Sequence, residues 1–558
     1  MRDEHVAAVA KAAGVVLRDA TLPQPGRLVR NQLGQLIEPR RRLLDPPGAK
    51  IVHGLGHHVT RALRGDHDSH QGCQQIDVHR HGLYGVGSRV MTHRFLVAAG
   101  TALVLAGMPH AVAVHAQTVP STTAAIDTVF ARWTTATPGC AVGVAVGGKT
   151  VLTKAYGLAD LEHDVPNTAD TIFEAGSVAK QFTAMAVLLL AKDGKLSLDD
   201  PVRKYLPELP DYGAPLTLRH LLNHTSGLRD WGSVAGIAGA PRTTREYTHA
   251  HVLDIVSRQK ALNFPTGTQW SYTNTGFNLA AVIVSRVSGM SFAEFSRTRI
   301  FTPLGMTRTS WRDDHTRVVK GRAIAYTSAS DGYHLEMPFE NVHGNGGLLT
   351  TVGDLLKWNE NFVTPIVGDR ALVTTQATAG HFNDGRALDY AIGLFLQDYR
   401  GVKNVYHSGS TAGYRAHLNR FPDAHTSVAV LCNVSTGDAT RSANLVSDLY
   451  LTGLTPVTPT TPTLPAPAMT PPPSAAQLAE FNGAYWSDEA EVALTAAVEN
   501  GALVLTRRPD TVIALTAIDR DTFRGSIGTV TFRRDTAGKV NALSVKQDRV
   551  WDLRFQRQ

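Results

Sequence analysis

FEAGSVAKQFTAMAVLLLAKDGKL, Phe173 to Leu196, places a serine where a helix starts and a lysine one turn inside it. From Lys180 to Ala191 the residues are rich in Ala, Leu and Met, all strong helix formers, and Gly194 stands where such a helix would end. A serine at a helix start lies near unpaired backbone N–H groups and the positive end of the helix dipole. Lysine at i+3 returns to the same face one turn later. A primary alcohol needs a base to become a nucleophile. A lysine in a desolvated pocket can be that base, because burial disfavours its ammonium form. Spacing alone carries little, since Ser-x-x-Lys recurs at Ser257-Arg258-Gln259-Lys260, where Ser and Lys read as a solvated helix face. Context makes Ser177 and Lys180 the candidates.

Two further segments hold residues suited to the same chemistry. Within GTQWSYTNTGFNLAAVIV, the run Ser271-Tyr272-Thr273-Asn274 sits in a polar loop just before an apolar stretch. Tyr272 and Asn274, two apart, share a face if the chain there is extended. The phenol can relay a proton to a leaving group, and the amide can hold the lysine or a substrate amide. Alone, such a pair reads as ordinary turn residues. The third segment is Tyr406-His407-Ser408-Gly409-Ser410, ahead of the strand-like Tyr414–Phe421. An edge strand along a cleft can offer the backbone N–H of Ser410 to a developing oxyanion. Gly409 would let a substrate approach the backbone closely. His407 by itself is more ordinary as a structural residue.

In order and context these segments resemble the serine β-lactamase-like superfamily, which includes class C β-lactamases, D,D-carboxypeptidases, D-aminopeptidases and certain esterases. Neighbouring motifs add to the resemblance. Leu221-Leu222-Asn223-His224-Thr225-Ser226-Gly227-Leu228 looks like the family's LLxHTSGL stretch. Phe264-Pro265-Thr266-Gly267 looks like its FxPG run, with Thr266 where Gly or Pro is usual. Gly344-Asn345-Gly346-Gly347-Leu348, followed by Asp354-Leu355, resembles its GxGGLxST–DL segment. The resemblance covers roughly Val119 to Thr452. It implies that Ser177 attacks a carbonyl to form an acyl-enzyme and that Lys180 and Tyr272 share the acid and base work. It implies too that the Ser177 and Ser410 N–H groups form the oxyanion hole, while Asn274 orients Lys180 and the substrate. Which of Lys180 and Tyr272 takes the first proton stays open. The chain departs from the family's Lys-Thr-Gly at His407-Ser408-Gly409, which is closer to the peptidase and esterase branches than to a dedicated β-lactamase. His407 is then expected to line the cleft opposite Ser177 and to favour carboxylate-bearing substrates only below about pH 6 to 7, where imidazole is cationic.

The implied fold is α/β: an antiparallel sheet of the β-lactamase/penicillin-binding-protein type, flanked by helices with a helical subdomain, over 119–452. The residues agree. Cys140–Gly157 reads as a hairpin around Gly147-Gly148, and Val405–Asn433 offers further strands. A sheet built from both ends of this region, with helices inserted between, is the simplest assembly. Residues 453–474 form a Pro/Thr-rich linker. Beyond it, 477–558 shows short alternating runs at regular turn spacing, expected to form a small all-β barrel, lipocalin-like by the same resemblance. Cys140 and Cys432 sit in separate apolar runs and are expected to be buried free thiols.

Upstream, MTHRFLVAAGTALVLAGMPHAVAVHAQ runs from Met91 with the plan of a secretory signal, a short positive start, an apolar stretch and small residues before Gln117. Its apolar run is shorter than the roughly 20 residues of a membrane-spanning helix. Residues 91–116 are therefore read as a signal peptide, and 1–90 as a mis-assigned start or unstructured prefix. A rival reading has His53, His57, His58, His67 and His70 bind a metal, but they lack regular ligand spacing. Thirteen Lys/Arg and eight Asp/Glu fall in residues 1–90, which hold most of the net charge of +7. The near-neutral body, without a basic stripe, argues against a nucleic-acid partner.

The expectation is an exported, periplasmic or secreted serine hydrolase without metal or organic cofactor, acting on small esters, D-amino-acid amides or peptides, or weakly on β-lactams. Membrane contact would come only through an uncleaved signal, and the oligomeric state is left open. The alternative is a penicillin-binding or sensor protein that acylates and turns over poorly. An α/β-hydrolase would need a Gly-x-Ser-x-Gly elbow, which the chain lacks.

Overall fold

The hairpin expected at Cys140–Gly157 forms: strands β1 (Cys140–Val146) and β2 (Lys149–Tyr156) pair antiparallel around Gly147-Gly148. Both turn glycines have positive φ, 58° and 75°, which glycine adopts without a Cβ clash. The computed structural model describes residues 122–456 and 468–558. The segments read as prefix and signal, Cys73 and the middle of the Pro/Thr stretch lie outside the described residues.

Four late strands complete the sheet: β3 (Phe395–Tyr399), β4 (Val402–Thr411), β5 (Tyr414–Phe421) and β6 (Thr426–Cys432). The order is β3-β4-β5-β6-β1-β2, all antiparallel, so the first and last parts of the region meet where β1 pairs with β6. Both of these strands are buried almost throughout, which is why each reads as a continuous apolar run and not as an alternation. On one face of the sheet, Val142, Val144 and Val430 pack with Ile126 and Phe130 of helix α1 (Thr122–Phe130) and Val446 of helix α5 (Ala439–Asp448). On the other, Ala141, Ala429 and Leu431 join the core that includes helices α2 (Lys180–Lys192), α3 (Thr275–Ser288) and α4 (Val352–Glu360). Helix α2 is buried from Lys180 to Leu190, as an apolar helix inside a layered domain should be. Between α2 and α3 run shorter helices, including Trp231–Ile237 and His249–Ser257. Among the described residues no single helix is long and apolar enough to cross a membrane.

One expectation is overturned. Cys140 and Cys432 form a disulfide, not two free thiols. Each lies in an apolar strand, as read, but β1 and β6 are neighbours in a register that sets Cys140 opposite Cys432. At a sequence separation of 292, nothing local in the sequence announces the pairing.

The C-terminal part is a nine-stranded antiparallel sheet between Gly483–Ser487 and Val550–Arg557. Its two edge strands, Thr511–Ala514 and Thr516–Ala517, are consecutive in sequence, so the sheet curls into a nearly closed barrel. Phe481, Phe523 and Phe532 pack ring against ring inside it. Val234 and Ile237 of the Trp231–Ile237 helix enter the same apolar cluster.

Candidate active site

Ser177 sits in a single 3₁₀ turn, Gly176–Ala179, that leads directly into α2. The lysine one turn on is fully buried, and its Nζ has three neighbours. It donates to Asn274 Oδ1 at 2.9 Å and to the Asn345 carbonyl at 2.8 Å, and lies 3.0 Å from Ser177 Oγ. Two of these neighbours can only accept, while the third is a hydroxyl. A neutral amine, with two N–H groups and one lone pair, matches that set. Burial pushes the Lys180 ammonium well below the ordinary lysine range, and the Arg549 charge pushes the same way against the opposing Asp230.

The sequence motifs build this nest. Asn274 begins α3 and its backbone N–H donates to Asp230 Oδ2 at 2.7 Å. The Gly344–Leu348 segment supplies the Asn345 carbonyl, and its Gly344 carbonyl accepts from Thr183 Oγ1 of α2 at 2.7 Å. Asn278 Nδ2 donates to Asn345 Oδ1 at 2.7 Å, fixing that segment to α3. Gly227 has φ 76°, and a Cβ there would stand 2.3 Å from the Phe264 carbonyl oxygen, so the LLNHTSGL and FPTG stretches touch backbone to backbone. The unusual Thr266 is accommodated because its hydroxyl donates to the Ser226 carbonyl at 3.2 Å.

Tyr272 stands over Lys180, whose Nζ is 4.8 Å from the ring centroid. Burial pushes its phenol up, against the hydrogen bond with Ser177 and the Arg549 charge. It therefore keeps its proton at neutral pH and can donate it.

Residues Gly409 and Ser410 lie on β4, but β4 is not an edge strand along its whole length. Strand β3 covers Val402 to Tyr406, leaving His407 to Thr411 free on that side. This free part lies against the nucleophile turn. A Cβ on Gly409 would stand 2.0 Å from the Ala175 carbonyl oxygen and 3.1 Å from Ser177 N. A Cβ on Gly176 would stand 2.6 Å from Ser410 N. Both glycines are needed for the approach, and it brings the Ser177 and Ser410 N–H groups to one rim of the cleft, where an oxyanion hole requires them. The cleft has a volume of about 510 Å³ and is lined by Ser177, Tyr272, Asn274, His407, Gly409 and Ser410, so it unites the sequence-read site residues around the buried Lys180.

His407 needs correction as a charge sensor. It is 1% exposed, and burial pushes its imidazole down to about 3. A chain of hydrogen bonds fixes its tautomer. Thr273 N–H donates to His224 Nδ1 at 3.3 Å, so His224 Nε2 carries the proton toward the Tyr390 oxygen at 3.2 Å. The Tyr390 hydroxyl then donates to His407 Nε2 at 3.2 Å, and His407 Nδ1–H to the Ser408 carbonyl at 2.6 Å. His224 also packs on the Tyr272 ring at 4.4 Å between centroids. Its motif was visible in the sequence but its role was not, and nothing in the sequence points to Tyr390. The second Ser-x-x-Lys behaves as a solvated face: Ser257 Oγ donates to the Asp254 carbonyl, and Lys260 is exposed. The sequence also missed Arg549, which the barrel places on the cleft.

Comparison with known proteins agrees with this geometry. Residues 125–451 match the Beta-lactamase family model. The chain is 29% identical over 306 residues to penicillin-binding protein 4* of Bacillus subtilis (strain 168), covering 52% of this chain and 66% of that protein. It is 30% identical over 311 residues to a D-aminopeptidase of Gluconobacter oxydans (strain 621H), covering 56% of this chain and 58% of that one. The chain thus spans less than two thirds of the length of these relatives. Among solved structures, the octameric penicillin-binding protein homologue from Pyrococcus abyssi aligns with a TM-score of 0.51 and 24% identity, covering 78% of this chain and 98% of that chain. The D-amino acid amidase from Ochrobactrum anthropi SV3 aligns with the same score and identity, covering 59% of this chain and 98% of that chain. At such identities these likenesses show the fold alone. With the family model matched across 125–451, the chain belongs to the Beta-lactamase family.

Proposed function

We propose that the protein is an exported serine hydrolase that works through an acyl-enzyme on small esters and D-amino-acid amides or peptides, with β-lactams as weaker substrates. The observation that carries the reading is the environment of Lys180: two acceptors and one hydroxyl around a buried nitrogen. In this mechanism the neutral amine takes the Ser177 proton as Oγ attacks the carbonyl, and the Ser177 and Ser410 N–H groups hold the oxyanion. Tyr272, protonated, passes its proton to the leaving group and regains one from the Lys180 side. Water then attacks the acyl-enzyme by the same route in reverse. The identity to a D-aminopeptidase supports D-amino-acid amides among the substrates. A neutral His407 in place of a cationic lysine supports peptidase or esterase action over dedicated β-lactam hydrolysis. Export is supported by the signal-like 91–116 and by the Cys140–Cys432 bond, since disulfides persist mainly in oxidising compartments.

The test is covalent labelling with a fluorophosphonate, followed by turnover of a neutral ester and a D-amino-acid amide. Ser177→Ala should abolish labelling, Ser257→Ala should leave it intact, and Lys180→Ala should lower kcat/KM by about 10²- to 10⁴-fold. Labelling that survives in Ser177→Ala overturns the assignment. Stoichiometric acylation without turnover would favour the penicillin-binding alternative.

A further inference from the structure

We propose that Arg549, carried into the cleft by the last hairpin of the C-terminal barrel, binds a carboxylate on the substrate and so sets the specificity of the site. The proposal rests on the serine hydrolase reading above.

The hairpin joins strands Val540–Gln547 and Val550–Arg557, with Asp548 and Arg549 at its tip. The tip is docked, not loose. The Arg549 carbonyl accepts from the Asp230 backbone N–H and from Asn263 Nδ2, each at 3.2 Å. Trp551 N–H donates to Asn263 Oδ1 at 3.0 Å, and the Trp551 ring packs on Phe264 at 5.0 Å. These contacts fall on the segments that hold the catalytic groups: Asp230 holds the Asn274 backbone, and Phe264 belongs to the FPTG stretch.

The guanidinium lies 4.8 Å over the Tyr272 ring, and the side chain remains 40% exposed to the cleft. Asp230 forms a long ion pair with it at 4.0 Å without a hydrogen bond, because the carboxylate oxygens already accept from backbone N–H groups. Asp230 Oδ1 accepts from Ser233 N–H at 3.1 Å, and Oδ2 accepts from Asn274 N–H. Among the described residues the Arg549 guanidinium makes no hydrogen bond, so its planar fork of donors is open to a ligand. Such a fork fits a carboxylate with two parallel bonds.

The other basic groups of the cleft are neutral or tied by hydrogen bonds to the protein itself. Lys180 is held by its two acceptors, and His407 is neutral. Arg242 is hydrogen-bonded twice to Glu340. Arg415 Nη1 donates to the Ala412 and Tyr414 carbonyls, both at 2.7 Å. The motif position that holds lysine in the family is thus a neutral His407 here, and Arg549 brings a cation from a different domain to the same cleft. A barrel filled by its own aromatic side chains serves here through its rim and not its interior.

The experiment uses the full chain and two matched substrate pairs. One is the p-nitrophenyl ester of succinic acid against its methyl ester, with the carboxylate on the acyl side. The other is an N-acetylated D-Ala-D-Ala dipeptide against its C-terminal amide, with the carboxylate on the leaving side. The ratio of kcat/KM within a pair cancels any effect on Lys180 common to both members. Arg549→Gln should lower the carboxylate-to-neutral ratio in one pair by about 10- to 100-fold, the range of a lost charge-assisted bond. Arg549→Lys should restore part of it, and Arg415→Gln should change neither ratio. Unchanged ratios in both pairs for Arg549→Gln, or a drop that appears with Arg415→Gln instead, overturn the proposal. If the wild type neither labels at Ser177 nor turns over either neutral member, it is the hydrolase reading that falls.

Discussion

Burial disfavours the charged form of a lysine or a histidine, and the site uses that rule at both Lys180 and His407. Lys180 is held toward its neutral amine because its ammonium is disfavoured, and His407 becomes a fixed acceptor because Tyr390 donates to it. The expectation of a histidine that senses substrate charge near neutral pH fails for a reason no local sequence could reveal. Its partners come from Tyr390 and, through it, from His224, 166 residues away from Tyr390 in the chain. That Ser177, Lys180, Tyr272 and Asn274 meet in one place was legible because each sits in a motif whose neighbours restrict its setting. Two outcomes follow for His407. The carboxylate-to-neutral ratio of the wild type should stay flat from pH 5 to 8, since no titration of His407 falls in that window. Stability has the opposite behaviour. The folded imidazole is depressed from 6.5 to about 3, so its contribution is present above pH 6.5 and is lost as pH falls toward 3. His224 and His343, also pushed well below the ordinary range by burial, act in the same direction. Thermal unfolding should therefore show Tm falling as pH drops below about 6.5, with a shallower slope in His407→Gln. A slope unchanged by that substitution would mean that His407 is not buried as a neutral ring.

At the scale of elements, periodicity recovered what is local and failed at what is paired. The β1–β2 hairpin and α2 were readable from their turn glycines and helix formers, because two or three neighbouring residues decide each. The β1–β6 pairing depends on which apolar run finds which, and a continuous apolar run carries no register. The disulfide was missed for that reason. It links the neighbouring strands β1 and β6 and closes a separation of 292 residues, so its loss should weaken the sheet where the ends of the domain meet. The double variant Cys140→Ala, Cys432→Ala should unfold in denaturant with stability lower by about 2–5 kcal/mol. Added reductant should destabilise the wild type toward the variant's midpoint and leave the variant unmoved. The same measurement bears on export: protein collected from the secreted fraction should carry no titratable thiol at either position. Two free thiols in that fraction would restore the first expectation and remove one support for an oxidising destination.

Across the whole molecule, the alternating strands after the Pro/Thr stretch were enough to announce a barrel, but not where it sits. Its seat is the Trp231–Ile237 helix, whose own sequence, WGSVAGI, gives little sign of a partner. Val234 and Ile237 complete the barrel's apolar cluster, and Arg507 donates from its Nη1 to the Gly236 and Ile237 carbonyls at 2.9 and 2.8 Å. Those carbonyls are at the C-terminal end of the helix, where a cation is favoured and the last acceptors lack intrahelical donors. At the other end Asp230 caps the helix, accepts the Asn274 N–H and donates its own N–H to the Arg549 carbonyl. The helix is thus a strut with the barrel at both ends and the nest of Lys180 beside it. Weakening the barrel's hold should therefore reach the catalytic groups without touching them. Ile237 is fully buried, so Ile237→Ala should cost about 2–5 kcal/mol through the cavity it leaves. Ile237→Asp, which buries a carboxylate among apolar groups, should unseat the barrel. The expected signs are an early unfolding transition for the barrel, faster proteolysis in the Pro/Thr stretch and slower fluorophosphonate labelling of Ser177. If Ile237→Asp loses the barrel's transition while labelling keeps its wild-type rate, the hydrolase domain arranges its nucleophile alone and the barrel acts only on the substrate through Arg549.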